Sequence, residues 1–348
     1  MVQILLTRKC NLDCSYCSAE RFNEIEKEEE LNTKELVDLL KRLKEIQVFN
    51  LLLSGGEMFL REDIFEILET AVKNKFPMIG ITTNGTLISE KTAKQLNRLN
   101  FGSKNISVSL DGNNESHDKL RGKGSYDKAI KGIINLVNNG IIPEILFTPL
   151  KNNYKTLNDM VETIYDLGIR RISFNSLHPS GKCKEIYKDI MLDWFVEVGE
   201  FQEIVMKIRE KYRDINISDP PFVYKSFPIR YHHENAASLK MKKIPKLKPC
   251  SAAHSSCNIT SSGWVVPCSE LYDFKGGNIR EQDVLDIWRN SENFEKIRNL
   301  SNIASTQIPW CRNCDYNFFC NSGCRADAYL IYGDIMAPDP FCPYWKEK

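Results

Sequence analysis

Cys10-Asn11-Leu12-Asp13-Cys14-Ser15-Tyr16-Cys17 follows directly on Ile4-Leu5-Leu6, an apolar run that predicts a strand. Three thiols cannot all pair among themselves as disulfides. They also fall one short of the four ligands that close a tetrahedral zinc or a cubane site. An iron–sulfur cubane held by three thiolates keeps one iron open to a ligand that is not protein. The competing reading is a zinc site completed by a distant cysteine or histidine.

The spacing C-x3-C-x2-C, with the aromatic Tyr16 before the last cysteine, resembles the signature of the radical S-adenosylmethionine (radical SAM) enzymes. The resemblance implies a [4Fe–4S] cluster on Cys10, Cys14 and Cys17, with SAM chelating the open iron through its amino and carboxylate groups. Reduction then splits the sulfonium C–S bond, giving methionine and a 5′-deoxyadenosyl radical.

Composition narrows the alternatives. With 348 residues there is room for one large and one smaller domain. Lys+Arg number 47 against Asp+Glu 46, which argues against a nucleic-acid groove. No apolar run approaches the ~20 residues that span a bilayer. Too few residues precede Cys10 for a signal peptide. The expectation is a soluble, cytoplasmic protein, in which twelve cysteines serve metal rather than disulfides.

Periodicity gives alternating strands and helices. Strands are predicted at 4–6, 50–54, 78–82, 106–110, 142–148 and 171–175. Helices are predicted around Leu36–Leu43 with Thr33 as cap, at Ile64–Ala71, 88–98, Ile130–Val137 ending at Gly140, Met160–Leu167, and 192–212. Glu24–Glu30 reads as a solvated acidic face. Six βα units call for a parallel sheet with right-handed crossovers. They are too few for a closed eight-fold barrel, so the fold class is α/β, an open partial (β/α)6 barrel. That is also the fold the resemblance implies. The expected division is a barrel over 1–215, a connector over 216–249 with Pro220-Pro221, His232-His233 and a lysine run, and a cysteine-rich unit over 250–348. The connector lysines read as solvated, with an acidic substrate peptide as the alternative.

The polar clusters follow strands, where parallel barrels place their sites. Gly55-Gly56-Glu57 follows the second strand: glycines admit close backbone approach, and a carboxylate accepts from an ammonium group. By the resemblance this motif meets the methionine amino group of SAM. Thr83, Asn84, Ser109 and Asp111 end strands three and four, and would face the ribose and carboxylate. Asn175 would face the adenosine, and Arg121 is a candidate for the SAM carboxylate. Short polar residues at strand ends are also ordinary turn formers. His117 reads as a surface-loop histidine and Cys183 as an ordinary loop cysteine.

A second resemblance lies in the C-terminal third. Cys250-x12-Gly263-x4-Cys268, Cys311-x2-Cys314-x5-Cys320-x3-Cys324 and a final Cys342 are similar to the SPASM extension of a subset of radical SAM enzymes. It implies two auxiliary [4Fe–4S] clusters, one on Cys250, Cys257, Cys268 and Cys324, the other on Cys311, Cys314, Cys320 and Cys342. A zinc ribbon-like knot is the rival.

SPASM-bearing enzymes mostly modify peptides or proteins. The expected function is therefore oxidative modification of a ribosomally made peptide, by a C–C or thioether crosslink. Formylglycine formation on a sulfatase and dehydrogenation of a small molecule are the alternatives. Sulfatase maturases carry an aspartate directly after the third auxiliary cysteine, whereas here Ser269 and then Glu270 follow Cys268, leaving Glu270 as a candidate base from a shifted position. The chain begins on its first strand, so a peptide leader would be gripped by the barrel rim, the connector or a separate leader-binding protein. A flavodoxin- or ferredoxin-like reductant is implied as partner. The reading from another class is a non-catalytic iron–sulfur electron carrier.

Overall fold

The computed structural model describes residues 1–19, 28–100, 105–193, 196–218, 250–314 and 322–342. The expected connector features from Pro220 to Lys248, and Cys320, lie outside the described residues.

Six strands recur as the periodicity requires: β1 (Val2–Leu5), β2 (Asn50–Ser54), β3 (Met78–Thr83), β4 (Asn105–Ser109), β5 (Glu144–Phe147) and β6 (Arg171–Phe174). All pair in parallel with their neighbours in chain order. A short β7 (Asn216–Ile217) adds to β6, within the stretch expected as connector.

Side chains on the strands alternate. Ile4, Leu51, Leu53, Ile81, Ile106, Val108, Ile145, Phe147 and Ile172 bury outward beneath the helices in one continuous apolar core. Between them, Gln3, Ser54, Thr82, Ser107, Ser109 and Ser173 occupy the alternate positions. Period-2 alternation puts these polar groups on the concave face. There they bond one another: Gln3 Nε2 donates to Ser54 Oγ at 2.8 Å, and the Ser107 and Ser173 hydroxyls donate to Glu144 at 3.2 and 2.5 Å. The barrel interior is thus a hollow in which these polar groups sit among Leu52, Leu146 and Phe174, rather than a filled core.

The helices that cover the outside are α1 (Thr33–Glu45), α2 (Ile64–Lys73), α3 (Glu90–Arg98), α4 (Asn114–Arg121), α5 (Ser125–Asn138), α6 (Leu157–Asp166), α7 (Cys183–Ile190) and α8 (Glu197–Lys211). The cap of α1 is Asn32 rather than Thr33. The Asn32 side chain accepts from the Glu35 N–H and Glu35 accepts from the Asn32 N–H, a reciprocal box that a threonine one residue later cannot make. Gly140 does end α5, at a left-handed φ of 75°.

Within the barrel, two helices lie outside the expected ones. α4 and α7 are eight residues each, too short for their apolar spacing to stand out. Their presence corrects two expectations. His117 is buried in α4, not on a surface loop. Cys183 opens α7, in an apolar cluster with Leu120, Leu150, Tyr187 and Phe341, where burial pushes its thiol up to about 12.

The cysteine-rich region is not hung on by a linker alone. β8 (Cys257–Ile259) pairs in parallel with β1, and β9 (Trp264–Val266) and β10 (Gly277–Asn278) continue antiparallel from it. One ten-stranded sheet therefore runs β10-β9-β8-β1-β2-β3-β4-β5-β6-β7. Helices α9 (Val284–Asn290), α10 (Glu292–Asn299) and α11 (Arg325–Tyr332) complete this side.

At the described end of the acidic run Glu28 and Glu29 are exposed, in keeping with a solvated face, and Glu30 is partly buried. Glu30 accepts from the Arg8 N–H at 2.7 Å. Arg280 bonds Glu35 at 2.6 Å and the Glu29 carbonyl at 3.0 Å, drawing the stretch against the C-terminal strands. No helix among the described residues is long and apolar enough to cross a membrane.

His117 yields a pH prediction. Its Nδ1 accepts from the Asp111 N–H at 3.1 Å, so the proton sits on Nε2, which is buried with no hydrogen-bond partner among the described residues. Burial, and then the nearby Arg121 charge, hold its pKa down at about 4. Below the ordinary value of about 6.5 the unfolded chain takes up a proton that the fold refuses, so stability present above that pH is lost as pH falls. That loss is about 2 kcal/mol by pH 5. In His117→Gln the denaturant midpoint should fall less between pH 7 and pH 5 than in wild type.

Candidate active site

A cavity of about 1060 Å³ opens at the C-terminal ends of the parallel strands. Cys10, Cys14 and Cys17 line it, together with Tyr16, Gly55, Gly56, Thr83, Asn84, Ser109, Arg121 and Asn175. Ser269 and Glu270 from the C-terminal region, and His178 from the loop after β6, form the facing wall.

Strand β1 delivers the cysteine loop, and β2 leaves alongside it. The Gly56 N–H donates to the Thr7 carbonyl and the Glu57 N–H to the Lys9 carbonyl, both at 2.7 Å. A Cβ at Gly55 would stand 2.6 Å from the Thr7 oxygen, and one at Gly56 would stand 2.3 Å from the Lys9 oxygen. The glycines are therefore required by the neighbouring backbone, whatever ligand they also admit. This differs from the expected ligand-driven reason and is more restrictive.

Glu57 and Asp111 stand behind the cavity wall, each fully buried. Glu57 accepts from the Thr83 hydroxyl at 2.9 Å, the Asn84 N–H at 2.8 Å and the Phe59 N–H at 3.2 Å. Burial raises its pKa, and these three donors pull it back. Its carboxylate shapes the turn after β3, so an ammonium group in the cavity would meet the glycine backbone rather than this side chain.

Asp111 accepts from the Arg121 Nε at 2.6 Å and the Thr148 N–H at 2.9 Å, and from the Tyr16 hydroxyl. Arg121 Nη2 also reaches the Tyr16 oxygen, at 2.6 Å. Tyr16 of the cysteine signature, and Asp111 and Arg121, both expected to face SAM, are thus tied first to one another. The Ser15 N–H on the Leu120 carbonyl, at 2.9 Å, adds a second fastening of the cysteine loop to α4. Asn84 faces the loop directly, donating to Asn11 Oδ1 at 3.0 Å and lying 3.9 Å from the Cys10 sulfur.

The donor set fits an iron–sulfur cluster. Burial, opposed by Arg121 and helped by the neighbouring Cys17 and Cys10 sulfurs, pushes the Cys14 thiol up to about 11. Cys10 is raised too, again first by burial, with Glu57 and Cys17 adding. Cys10 and Cys14 resist ionisation alone, and a cationic iron core stabilises such sulfurs as thiolates.

In the C-terminal region Cys268 is partly buried, its thiol raised first by burial and then by Glu270, with Cys250 also close enough to raise it. Cys257 sits inside β8, its thiol pushed up to about 12 by burial. Cys311 lies near Cys314 and Asp339. Asp339 Oδ2 accepts from the Cys324 N–H at 2.6 Å, and its carbonyl accepts from the Cys342 N–H at 2.9 Å, bringing the last cysteines together.

Some site residues carried no signal in the sequence. His178 Nδ1 bonds Asp327 Oδ1 at 2.7 Å, Ser180 Oγ donates to Glu270 at 2.5 Å, and Lys182 pairs with Asp13. All three contacts join residues more than 85 positions apart, beyond any local pattern. Only the alternation Ile106-Ser107-Val108-Ser109 hinted at the polar hollow.

Known proteins show the same arrangement. Residues 4–167 match the radical SAM superfamily, and residues 250–315 match SPASM, an iron–sulfur cluster-binding domain. Fe-coproporphyrin III synthase of Methanosarcina barkeri is 30% identical, over 99% of this chain and 87% of its own. PqqA peptide cyclase of Rhizobium meliloti is 28% identical, over 97% and 85%. The crystal structure of Streptococcus suis SuiB bound to precursor peptide SuiA superposes with a TM-score of 0.75 at 21% identity, covering 98% of this chain and 74% of that one. The chain thus belongs to the radical SAM superfamily, with a SPASM iron–sulfur cluster-binding domain after its barrel.

Proposed function

We propose that this protein cleaves SAM reductively at the cluster held by Cys10, Cys14 and Cys17, and uses the resulting radical to oxidise a residue of a ribosomally made peptide. The observation that carries this reading is the shared cavity: the three thiols and the Ser269–Glu270 corner of the SPASM domain look into one hollow. A substrate held there lies between the SAM-binding loop and the auxiliary-cluster domain. When bound, the open-iron cluster supplies the electron that breaks the sulfonium bond.

The chain's own residues do the rest. The Gly55–Gly56 backbone receives the SAM ammonium, while Glu57 holds the Thr83–Asn84 turn that receives the sugar. Ser109 and Asn175 offer polar contacts from β4 and β6. Glu270, oriented by Ser180, presents a carboxylate to the substrate and is the candidate base. Auxiliary clusters on Cys250, Cys257, Cys268 and Cys324, and on Cys311, Cys314, Cys320 and Cys342, complete the assignment. The barrel over 1–215, the connector over 216–249 and the SPASM unit over 250–348 are the corresponding domains. A cytoplasmic flavodoxin or ferredoxin is the proposed reductant, and a separate leader-binding protein the proposed peptide carrier.

Support comes from PqqA peptide cyclase and from the SuiA-bound structure, both peptide-directed by name. The 30% identity to Fe-coproporphyrin III synthase carries a second reading, in which the same cavity takes an iron porphyrin. Anaerobic incubation of the reconstituted protein with SAM, reductant and a candidate precursor peptide, sought among short reading frames beside its gene, should give 5′-deoxyadenosine and a peptide lighter by two hydrogen atoms. An unchanged peptide, with Fe-coproporphyrin III formed from an iron tetrapyrrole precursor in a parallel reaction, would decide for the porphyrin.

A further inference from the structure

The loop between β6 and α7 touches three cysteine-bearing segments at once. Lys182 pairs with Asp13, and its N–H donates to the Cys17 carbonyl at 3.1 Å. Ser180 reaches Glu270, beside Cys268. His178 reaches Asp327 in the first turn of α11, which Cys324 caps.

The last contact has a special geometry. A nitrogen of His178, the sulfur of Cys324 and a carboxylate oxygen of Asp327 all lie within 4.8 Å of one another. Asp327 is fully buried, while His178 lines the cavity and is half-buried. The imidazole therefore touches the substrate hollow on one side and the surroundings of a cluster sulfur on the other. Its 2.7 Å bond to a buried carboxylate fixes the ring in that place.

We propose that His178, held by Asp327, is a positioning residue that sets the environment of the Cys324 sulfur and so tunes the auxiliary cluster that Cys324 serves. This rests on reading Cys324 as an auxiliary-cluster ligand. Reduction potentials of such clusters follow net charge, hydrogen bonding at the sulfurs and solvent access. Partners just outside the ligand shell act through those same terms. Asp327 brings a buried negative charge to the sulfur. The His178 ring occupies space that solvent or substrate would otherwise fill, so the hollow and the cluster share this one side chain.

The test is a potentiometric titration followed by electron paramagnetic resonance. The reconstituted full chain carries Cys10, Cys14 and Cys17 replaced by alanine, which leaves only the auxiliary signals. His178→Ala and Asp327→Asn should each shift the midpoint of the same one signal, leaving the other in place and the iron content unchanged. His178→Gln, which keeps a polar side chain of similar reach, should recover most of the shift.

Unmoved midpoints at full iron content overturn the proposal. Equal movement of both signals also overturns it, since that reports general loosening. One zinc per chain that disappears in both variants assigns the trio to a mononuclear site and overturns it too. If the parent protein shows no auxiliary signal at all, the auxiliary-cluster reading itself fails, a result distinct from an inert His178.

Discussion

Cys14→Ala should abolish formation of 5′-deoxyadenosine by the reconstituted protein while most of its iron stays bound. The reason is the arithmetic of ligands. With three thiolates the cluster has one open iron, and with two it has no stable hold on the loop. Losing a partner outside the ligand shell already costs about 10- to 100-fold in metal affinity or activity, and losing a ligand exceeds that. The Cys14 thiol is raised to about 11, first by burial, so its thiolate depends on the metal. Removing it leaves Cys10 and Cys17 on a loop still fastened by Ser15 to Leu120, so the fold survives.

The SPASM thiols are far from this loop in sequence and hold their own iron. About eight of about twelve irons should therefore remain, on the three-cluster assignment. Liquid chromatography of 5′-deoxyadenosine and colorimetric iron on one sample measure both. A non-catalytic electron carrier would keep its electron transfer to an added acceptor in this variant. Wild-type SAM cleavage in Cys14→Ala would sink the open-iron site.

The legible part of this protein is the part written locally. Each strand of the barrel is a short apolar run followed by a polar cluster, and the three cysteines fall within one loop, so period and spacing suffice. Long-range fastening is different. Nothing in Asp111 or Tyr16 singly says that their side chains meet, because the fold brings together residues 95 positions apart. The same limit explains Glu57, whose carboxylate turns from the cavity to Thr83, and β8, which joins β1 from the far end of the chain. His117 was misjudged because α4 lacks an apolar stripe: Ser116, His117, Leu120 and Arg121 are the residues it buries, and three of them are polar. Polar residues go inside there because Asp111 offers them partners, a fact of tertiary structure alone.

That hub makes the second large effect. Asp111→Ala should destabilise the metal-free protein by about 3–5 kcal/mol, since it leaves Arg121 a buried and unpaired charge. It also frees the Thr148 N–H and the Tyr16 hydroxyl, which Asp111 now satisfies. Tyr16→Phe removes only the hydroxyl and keeps the ring, so about 1–3 kcal/mol is expected. The order of the two separates the ion pair from the tyrosine hydroxyl as the main fastening. A third variant makes the argument independent of general damage. Asp111→Leu with Arg121→Met removes both charges together and should be milder than Asp111→Ala alone, because the cost lies in stranding a charge rather than in losing the pair. Denaturant midpoints of the three metal-free proteins give the comparison. The cysteine loop reports the consequence, since amides of residues 10–17 should exchange faster in Asp111→Ala, and slower iron capture should follow. A double variant no better than Asp111→Ala would mean that the Arg121 charge reaches solvent, and the buried triad could not then be what shapes the loop.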